Sequence, residues 1–321
     1  MTNHYPDIKQ VCIFGTGGVG GYFGGKIAEA FGNPQFKDYD IYFIARGEHL
    51  RVIKEYGILV KTTERPIFAE PTLATNDLNE IPSPDLILLC VKSYDLNQAT
   101  AAIKPVIRDN TVIIPLLNGV DISERIRGVL DKGIFLPACL YLGTHIESPG
   151  VINQSGGNGV IMFGPDRKFP QYSGENVKSF FTHTGIKYEW NDDPLPPIWE
   201  KYIFIAAFGL VTALTGKSLG EVMENAEHRK TVEGIMAEIC AIAGKKAIKL
   251  PSDIIQKSIN KAHNFPHEAW TSYQRDTENK VQCNEGDLYG GTIIREGNDM
   301  GVTTPITQST YKKITDLYGK R

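Results

Sequence analysis

The chain has 321 residues, 41% of them hydrophobic and 22% charged, which supplies apolar material for two cores of ordinary size. A formal net charge of -3 gives no global attraction for a polyanion such as DNA or RNA and leaves only a local basic pocket to look for. The polar start MTNHYPDIKQ has no secretory pattern, and the longest strongly apolar stretch, residues 202–214, is too short to cross a bilayer, so the expectation is a cytoplasmic protein with neither a nucleic-acid nor a membrane partner.

The first strand signal is VCIF, residues 11–14, running into GTGGVGGYFGGKIAEAF. Val19, Phe23 and Ile27 recur at helical spacing and predict a helix over 18–31, whose many glycines weaken it unless its backbone must come close to something. A strand over 40–45 and a helix over 48–56 follow, then short strands near 58–60 and at Ile67. DLILLCVKSYD and TVIIPLLNGVD repeat one pattern, a wholly apolar strand (86–91, 111–117) with a polar switch at its C-terminal end. Such strands separated by helices predict a mostly parallel sheet covered on both faces, which binds ligands just beyond the strands' C-terminal ends.

Between 135 and 164 the apolar stretches shorten around Pro149, Gly150 and paired glycines, which suggests antiparallel strands completing the sheet. EWNDDPLPPIWEKY reads as a linker near 191–197. Beyond it helical patterns take over at 198–210, 221–247, 251–261 and 267–280, with a terminal helix from about Pro305. The predicted fold is an α/β Rossmann-type N-terminal domain, residues 1–192, followed by an all-α C-terminal domain, residues 193–321. Cys12, Cys90, Cys139, Cys240 and Cys283 lack paired spacing and read as reduced core residues; the pair His263 and His267 reads as structural, so no metal is expected. The Phe- and Tyr-rich helical faces suit either a homodimer contact or the core of the second domain.

Gly15, Thr16, Gly17, Gly18, Val19 and Gly20 form a GxGxxG string that leaves a strand and opens a helix. In that context the first glycine permits the turn, the second lets a pyrophosphate approach the backbone and the third packs helix on sheet, which predicts dinucleotide binding. The second strand ends in Ala45-Arg46-Gly47 where an NAD site places an acid. A guanidinium there pairs with a 2'-phosphate and favours NADPH, although a small change in turn geometry would present Glu48 instead. Lys92, at the end of the 86–91 strand, adds charge at the same rim or is an ordinary surface lysine. Asn118-Gly119 is a ligand-binding amide or a simple turn. Lys201, in WEKY, either enters a cleft or is a solvated first-turn lysine. Ser272 and Glu285 are not separable by spacing from a helix cap and a loop acid.

Taken in order, VCIFGTGGVGGYFGG, IARG, CVKSYD, LLNGV, WEKY, TSYQRD and NEGD resemble the ketopantoate reductase (2-dehydropantoate 2-reductase) family over essentially the whole chain. The resemblance implies an active site between a Rossmann domain and a helical domain, with Arg46 and Lys92 on NADPH and Asn118 on the nicotinamide and substrate side. It also implies Lys201 as general acid, Ser272 on the substrate carboxylate and Glu285 as an acidic partner near the lysine. The implied reaction is NADPH-dependent reduction of a 2-oxo acid, ketopantoate to pantoate in pantothenate biosynthesis. Two departures stand out. The gap from TSYQRD to NEGD is one residue longer than the family's usual one, and Ile205, Gly209 and Ala269 occupy positions where well-studied members carry asparagines. Lost amides change how a polar acid is held. The alternatives are therefore a reductase of another 2-oxo acid or carbonyl compound, or an NADPH-sensing protein without turnover.

Overall fold

The computed structural model describes residues 6–278 and 284–318. It divides into two compact units, one running up to Leu117 and including Ile122–Pro194, the other comprising Asn118–Asp121 and the chain from Leu195 onward. The division thus falls after Pro194 rather than after residue 192, and the segment around Asn118 joins the second unit. The expected linker is shorter than 191–197, since a helix already begins at Leu195 with Pro196 and Pro197 in its first turn, where missing amides cost nothing.

The first unit runs β1 (Gln10–Phe14), α1 (Gly18–Phe31), β2 (Asp40–Ile44), α2 (Gly47–Tyr56), β3 (Ile58–Lys61), β4 (Pro66–Ala69), β5 (Leu73–Thr75), β6 (Leu86–Leu89), α3 (Leu96–Ile103) and β7 (Val112–Pro115). It continues with α4 (Ile122–Arg127), β8 (Ile134–Phe135), β9 (Ala138–Ser148), β10 (Val151–Phe163), α5 (Glu175–His183) and β11 (Tyr188–Trp190). Six parallel strands form one sheet in the order β5-β2-β1-β6-β7-β8. The chain winds away from β1 in both directions, so the switch point of this doubly wound sheet lies between β1 and β6.

β9 and β10 do not complete that sheet. They pair antiparallel with each other, and β10 is built into a second sheet of order β11-β10-β3-β4. The reason lies in the pattern: β10 alternates buried and half-buried residues at its ends and shifts register around Gly156 and Gly157, so it has one face to bury. β1, β6 and β7, in contrast, are buried almost throughout and need cover on both faces.

The glycines of α1 explain how the two sheets coexist. A Cβ on Gly20 would lie 2.0 Å from the Gly15 carbonyl oxygen, and one on Gly24 would lie 2.9 Å from the Phe43 ring, both toward the parallel sheet. One residue on, Gly21 and Gly25 face the second sheet, where a Cβ would lie 2.6 Å from Ile152 and 2.5 Å from Val60. Two i,i+4 pairs therefore strip two faces of the helix, and its backbone is wedged between both sheets. Phe23 and Ile27, fully buried, fill the same core.

The second unit holds α6 (Leu195–Thr215), α7 (Leu219–Glu224), α8 (Ala226–Lys245), α9 (Ile254–Ala262), α10 (Ser272–Glu278), α11 (Thr292–Met300) and α12 (Pro305–Tyr318). α6 contains the apolar stretch and is, at 21 residues, long and apolar enough to cross a membrane, but most of it is buried inside this unit. It is apolar nearly all round because α8, α10 and α12 pack about it. The helix predicted over 221–247 is two helices, since the Asn225 side chain accepts from the amides of Glu227 and His228 and starts α8 afresh.

The helix predicted from His267 begins only at Ser272. The carbonyls of His267 and Ala269 instead accept the amides of Gly220 and Leu219 at the start of α7, and Thr271 Oγ1 accepts the Gln274 amide. Its predicted end at 280, like Cys283, lies outside the described residues. Glu238 of α8 is buried and accepts from the amides of Ile306 (2.7 Å) and Thr307 (2.9 Å), closing the N-terminus of α12 with a carboxylate where the helix dipole favours one.

The wedge around α1 sets a test. Gly20→Ala forces backbone apart and is expected to lower stability by about 3 kcal/mol. Gly17→Ala adds a Cβ with nothing within 4 Å and should leave stability almost unchanged. Urea unfolding of the two variants checks this; equal stability would mean that α1 is not tightly held.

Candidate active site

In the first unit, three loops leave the C-terminal ends of neighbouring strands. Gly15, at φ +91°, turns the chain out of β1 in a conformation open to glycine, and the amides of Gly15 and Thr16 both bond the Ile44 carbonyl at the end of β2 (3.0 and 3.3 Å). Gly17 caps α1 without any side chain, and a Cβ there would meet open space, so the amides of Gly18, Val19 and Gly20 lie on a bare helix end. Among the described residues the buried Thr16 hydroxyl has no hydrogen-bond partner, and neither has that of Thr144, which lies against Gly18. A bare helix N-terminus of this kind with two unspent hydroxyls fits a pyrophosphate.

Arg46 stands at the start of α2, and its guanidinium bonds Asp95 at 3.0 Å, across from the loop after β6 that carries Lys92. Arg46 and Lys92 are both exposed, so the sheet places one cation on either side of the glycine loop. An exposed Arg–Asp pair contributes little and exchanges readily for a phosphate group, which the guanidinium can grip with two N–H donors.

His49 ties this loop down, a role that sequence reading missed. Its Nδ1 accepts the Gly150 amide at 3.0 Å, so Nε2 carries the proton and donates to the Thr16 carbonyl at 2.8 Å. The imidazole's pKa is lowered by burial, an effect partly offset by the bond to Thr16.

The second unit gathers the other residues. Lys201, in the second turn of α6, is half-buried and donates from Nζ to Asn118 Oδ1 at 2.7 Å. The Asn118 amide nitrogen makes a long contact, 3.5 Å, with the hydroxyl of Tyr289, which also hydrogen-bonds the Ser272 side chain. Tyr289 sits in a π-helical turn, Asp287–Gly291, held by the Tyr202 hydroxyl, which is shared between the carbonyls of Leu288 (2.6 Å) and Tyr289 (3.1 Å). Such turns recur at functional sites.

Asp121 anchors the other end of the Asn118 segment by accepting from the Thr292 hydroxyl at 3.1 Å. Glu285 is 3% exposed. Burial, and then the Glu285 charge, raise the pKa of Tyr289, so the phenol keeps its proton.

Lys201, Asn118, Ser272 and Glu285 thus belong to one neighbourhood of the second unit, and Gly15–Gly20, Arg46 and Lys92 to one rim of the first. Tyr289 was missed because an aromatic before Gly290-Gly291 reads as packing. Chemically, the ammonium can give a proton and stabilise a developing oxyanion. The amide can only hold the ammonium, and the serine can donate to an acid group. Burial pushes the Cys12 thiol up to about 12 and the Cys240 thiol up to about 11, so neither is poised as a thiolate.

The His49 clasp predicts a pH dependence. With the folded pKa depressed, the unfolded chain takes the proton first as the pH falls through the ordinary imidazole value. Stability is therefore full above that value, declines below it, and levels off once folded His49 is also protonated. His49→Gln should lose less unfolding free energy than the wild type between about pH 7.5 and about pH 5 in urea titrations. Equal losses would assign the titration to other groups.

Comparison with known proteins agrees along the chain. Residues 11–168 match the family described as Ketopantoate reductase PanE/ApbA, and residues 195–317 match its C-terminal counterpart. The chain is 25% identical over 308 residues to the uncharacterized oxidoreductase YkpB of Bacillus subtilis, covering 94% of this chain and 96% of that one. It is 24% identical over 306 residues to a 2-dehydropantoate 2-reductase of Streptococcus pyogenes, covering 92% and 93% of the two chains. A PanE/ApbA family ketopantoate reductase from Ralstonia eutropha superposes with a TM-score of 0.85 at 26% identity, covering 96% of this chain and 98% of that one. The chain therefore belongs to the ketopantoate reductase family and is an oxidoreductase with a nicotinamide cofactor, NADPH in this family.

Proposed function

We propose that this protein reduces the ketone of a 2-oxo acid to the 2-hydroxy acid with NADPH, and that its substrate is 2-dehydropantoate, converted to pantoate in pantothenate biosynthesis in the cytoplasm. The observation that carries this reading is the half-buried Lys201 ammonium, held at 2.7 Å by the Asn118 amide oxygen. The cofactor supplies the hydride. Lys201 supplies the proton: as the carbonyl carbon gains the hydride, the oxygen gains charge, which the ammonium stabilises before giving up a proton and leaving a neutral amine for solvent to reprotonate.

Asn118 aims the lysine, Ser272 donates to the substrate carboxylate, and Glu285 offsets the positive charge of the ammonium. Arg46 and Lys92 hold the 2'-phosphate, with Gly15–Gly20 on the pyrophosphate. A proton donor held this way has no use in a protein that only senses NADPH. A second reading, another 2-oxo acid as substrate, is favoured by Ile205 and Gly209. They follow Lys201 on the same face of α6 and offer no polar side chain to a substrate hydroxyl.

Steady-state NADPH oxidation with 2-dehydropantoate and a panel of other 2-oxo acids tests the reaction. Lys201→Ala is expected to lower kcat by roughly 100-fold or more with NADPH affinity retained, and wild-type turnover in that variant would overturn the mechanism. Arg46→Ala should raise the KM for NADPH by about tenfold or more while sparing NADH, as expected for a charge-assisted bond to phosphate. Equal effects on both cofactors would remove Arg46 from the 2'-phosphate.

A further inference from the structure

The segment Asn118–Asp121 is held at both ends, and both holds trace back to one stretch of the helical unit. At the first end Asn118 Oδ1 accepts from Lys201 Nζ at 2.7 Å. At the other Asp121, 7% exposed, accepts at 3.1 Å from the hydroxyl of the fully buried Thr292. Thr292 is the first residue of α11 and directly follows the π-helical turn, which the hydroxyl of Tyr202, the residue after Lys201, ties to α6. The contacts therefore close a ring: from Lys201 to Asn118, along the chain to Asp121, across to Thr292, and through the turn back to Tyr202. A group in a closed ring keeps its place when a single torsion rotates. Held at one end only, the segment would swing about Gly119, whose φ of +130° suits a residue without a side chain.

Arg295 sets the direction of the Thr292 bond. Its guanidinium grips both carboxylate oxygens of Asp287, at 2.5 and 3.0 Å, and its Nη2 also donates to the Thr292 hydroxyl oxygen at 3.3 Å. With its oxygen accepting there, the hydroxyl still has one proton to give. The Asp121 carboxylate, at 3.1 Å, is charged and closer than the Asp287 carbonyl at 3.4 Å, so it takes that proton in a hydrogen bond. The same guanidinium stands 4.0 Å from Asp121 and opposes the charge of that buried group. We propose that Thr292 is a positioning residue: its hydroxyl, oriented by Arg295, anchors Asp121 and so keeps the Asn118 amide oxygen on the Lys201 ammonium. This rests on the reading of Lys201 as the proton donor. Being fully buried, Thr292 acts through Asp121 rather than on a substrate.

Two substitutions separate the bond from the packing. Thr292→Val keeps the shape and removes the hydroxyl, whereas Thr292→Ser keeps the hydroxyl and removes a methyl group. In NADPH-oxidation assays with a 2-oxo acid, Thr292→Val is expected to lower kcat about tenfold, within the range for a reacting group displaced by about 1 Å. The Kd for NADPH, read by nicotinamide fluorescence, should stay as in the wild type. Thr292→Ser should keep kcat within about twofold of the wild type while losing thermal stability with its methyl group. In an Asn118→Ala background, Thr292→Val should lower kcat by less than a further factor of about two, because the group it positions is gone. Hydrogen exchange at residues 118–121 should rise in Thr292→Val and not in Thr292→Ser, a readout that needs no turnover. A threonine that merely packs gives a greater kcat loss in Thr292→Ser than in Thr292→Val, or a loss in Thr292→Val that is additive with Asn118→Ala. Either result overturns the proposal, as does wild-type kcat in Thr292→Val. A wild type that turns over no 2-oxo acid is a different failure, of the functional reading itself; exchange then decides the anchor alone, and unchanged exchange in Thr292→Val overturns it.

Discussion

Close approach of a helix backbone to two sheets at once is the constraint from which the nucleotide-binding unit follows. Gly20 and Gly24 admit the parallel sheet to one side of α1, while Gly21 and Gly25 admit the second sheet to another. Glycine disfavours an isolated helix by about 1 kcal/mol per residue relative to alanine. α1 forms because the surrounding core, with Phe23 and Ile27 buried in it, outweighs that cost. The same close fit fixes the start of the helix against the end of β1, and the bare amides at its N-terminus owe their placement to packing below them. Backbone bonds from Gly15 and Thr16 to Ile44 and the His49 clasp secure the remaining degrees of freedom.

The helical unit solves a different problem, holding a cation among apolar helices. Lys201 sits on α6, whose other residues are mostly buried hydrocarbons, so its ammonium needs a compensating oxygen close by. An amide oxygen meets that need without accepting the proton. The buried Glu285 adds negative charge to the same neighbourhood, beside Tyr289.

The parallel character of the first sheet and the loops at its strand ends were legible in the sequence because both depend on local, periodic signals. Apolar strands ended in polar switches at Gly15, Arg46 and Lys92, and the structure puts these at the ends of β1, β2 and β6. Where the sequence misled, long-range partners had decided the outcome. Nothing local says that the carbonyls of His267 and Ala269 serve α7 rather than their own helix, or that β10 joins β3 instead of β8. The candidate site was legible mainly through family resemblance. Ser272 and Glu285 have no spacing signature, and Tyr289 draws its meaning from Asn118, far away in sequence.

The short excursion Asn118–Asp121 has a consequence for how such a protein can be taken apart. The chain leaves β7, contributes these residues to the helical unit, and then returns to build α4. A fragment beginning at Leu195 would keep every helix of that unit yet lack the amide that holds its lysine and the carboxylate bonded to Thr292. The two units are therefore not independent modules that recombination could exchange by a single crossover at Pro194. Each helical unit must be inherited with a matching loop from the sheet, and the pair diversifies as one piece.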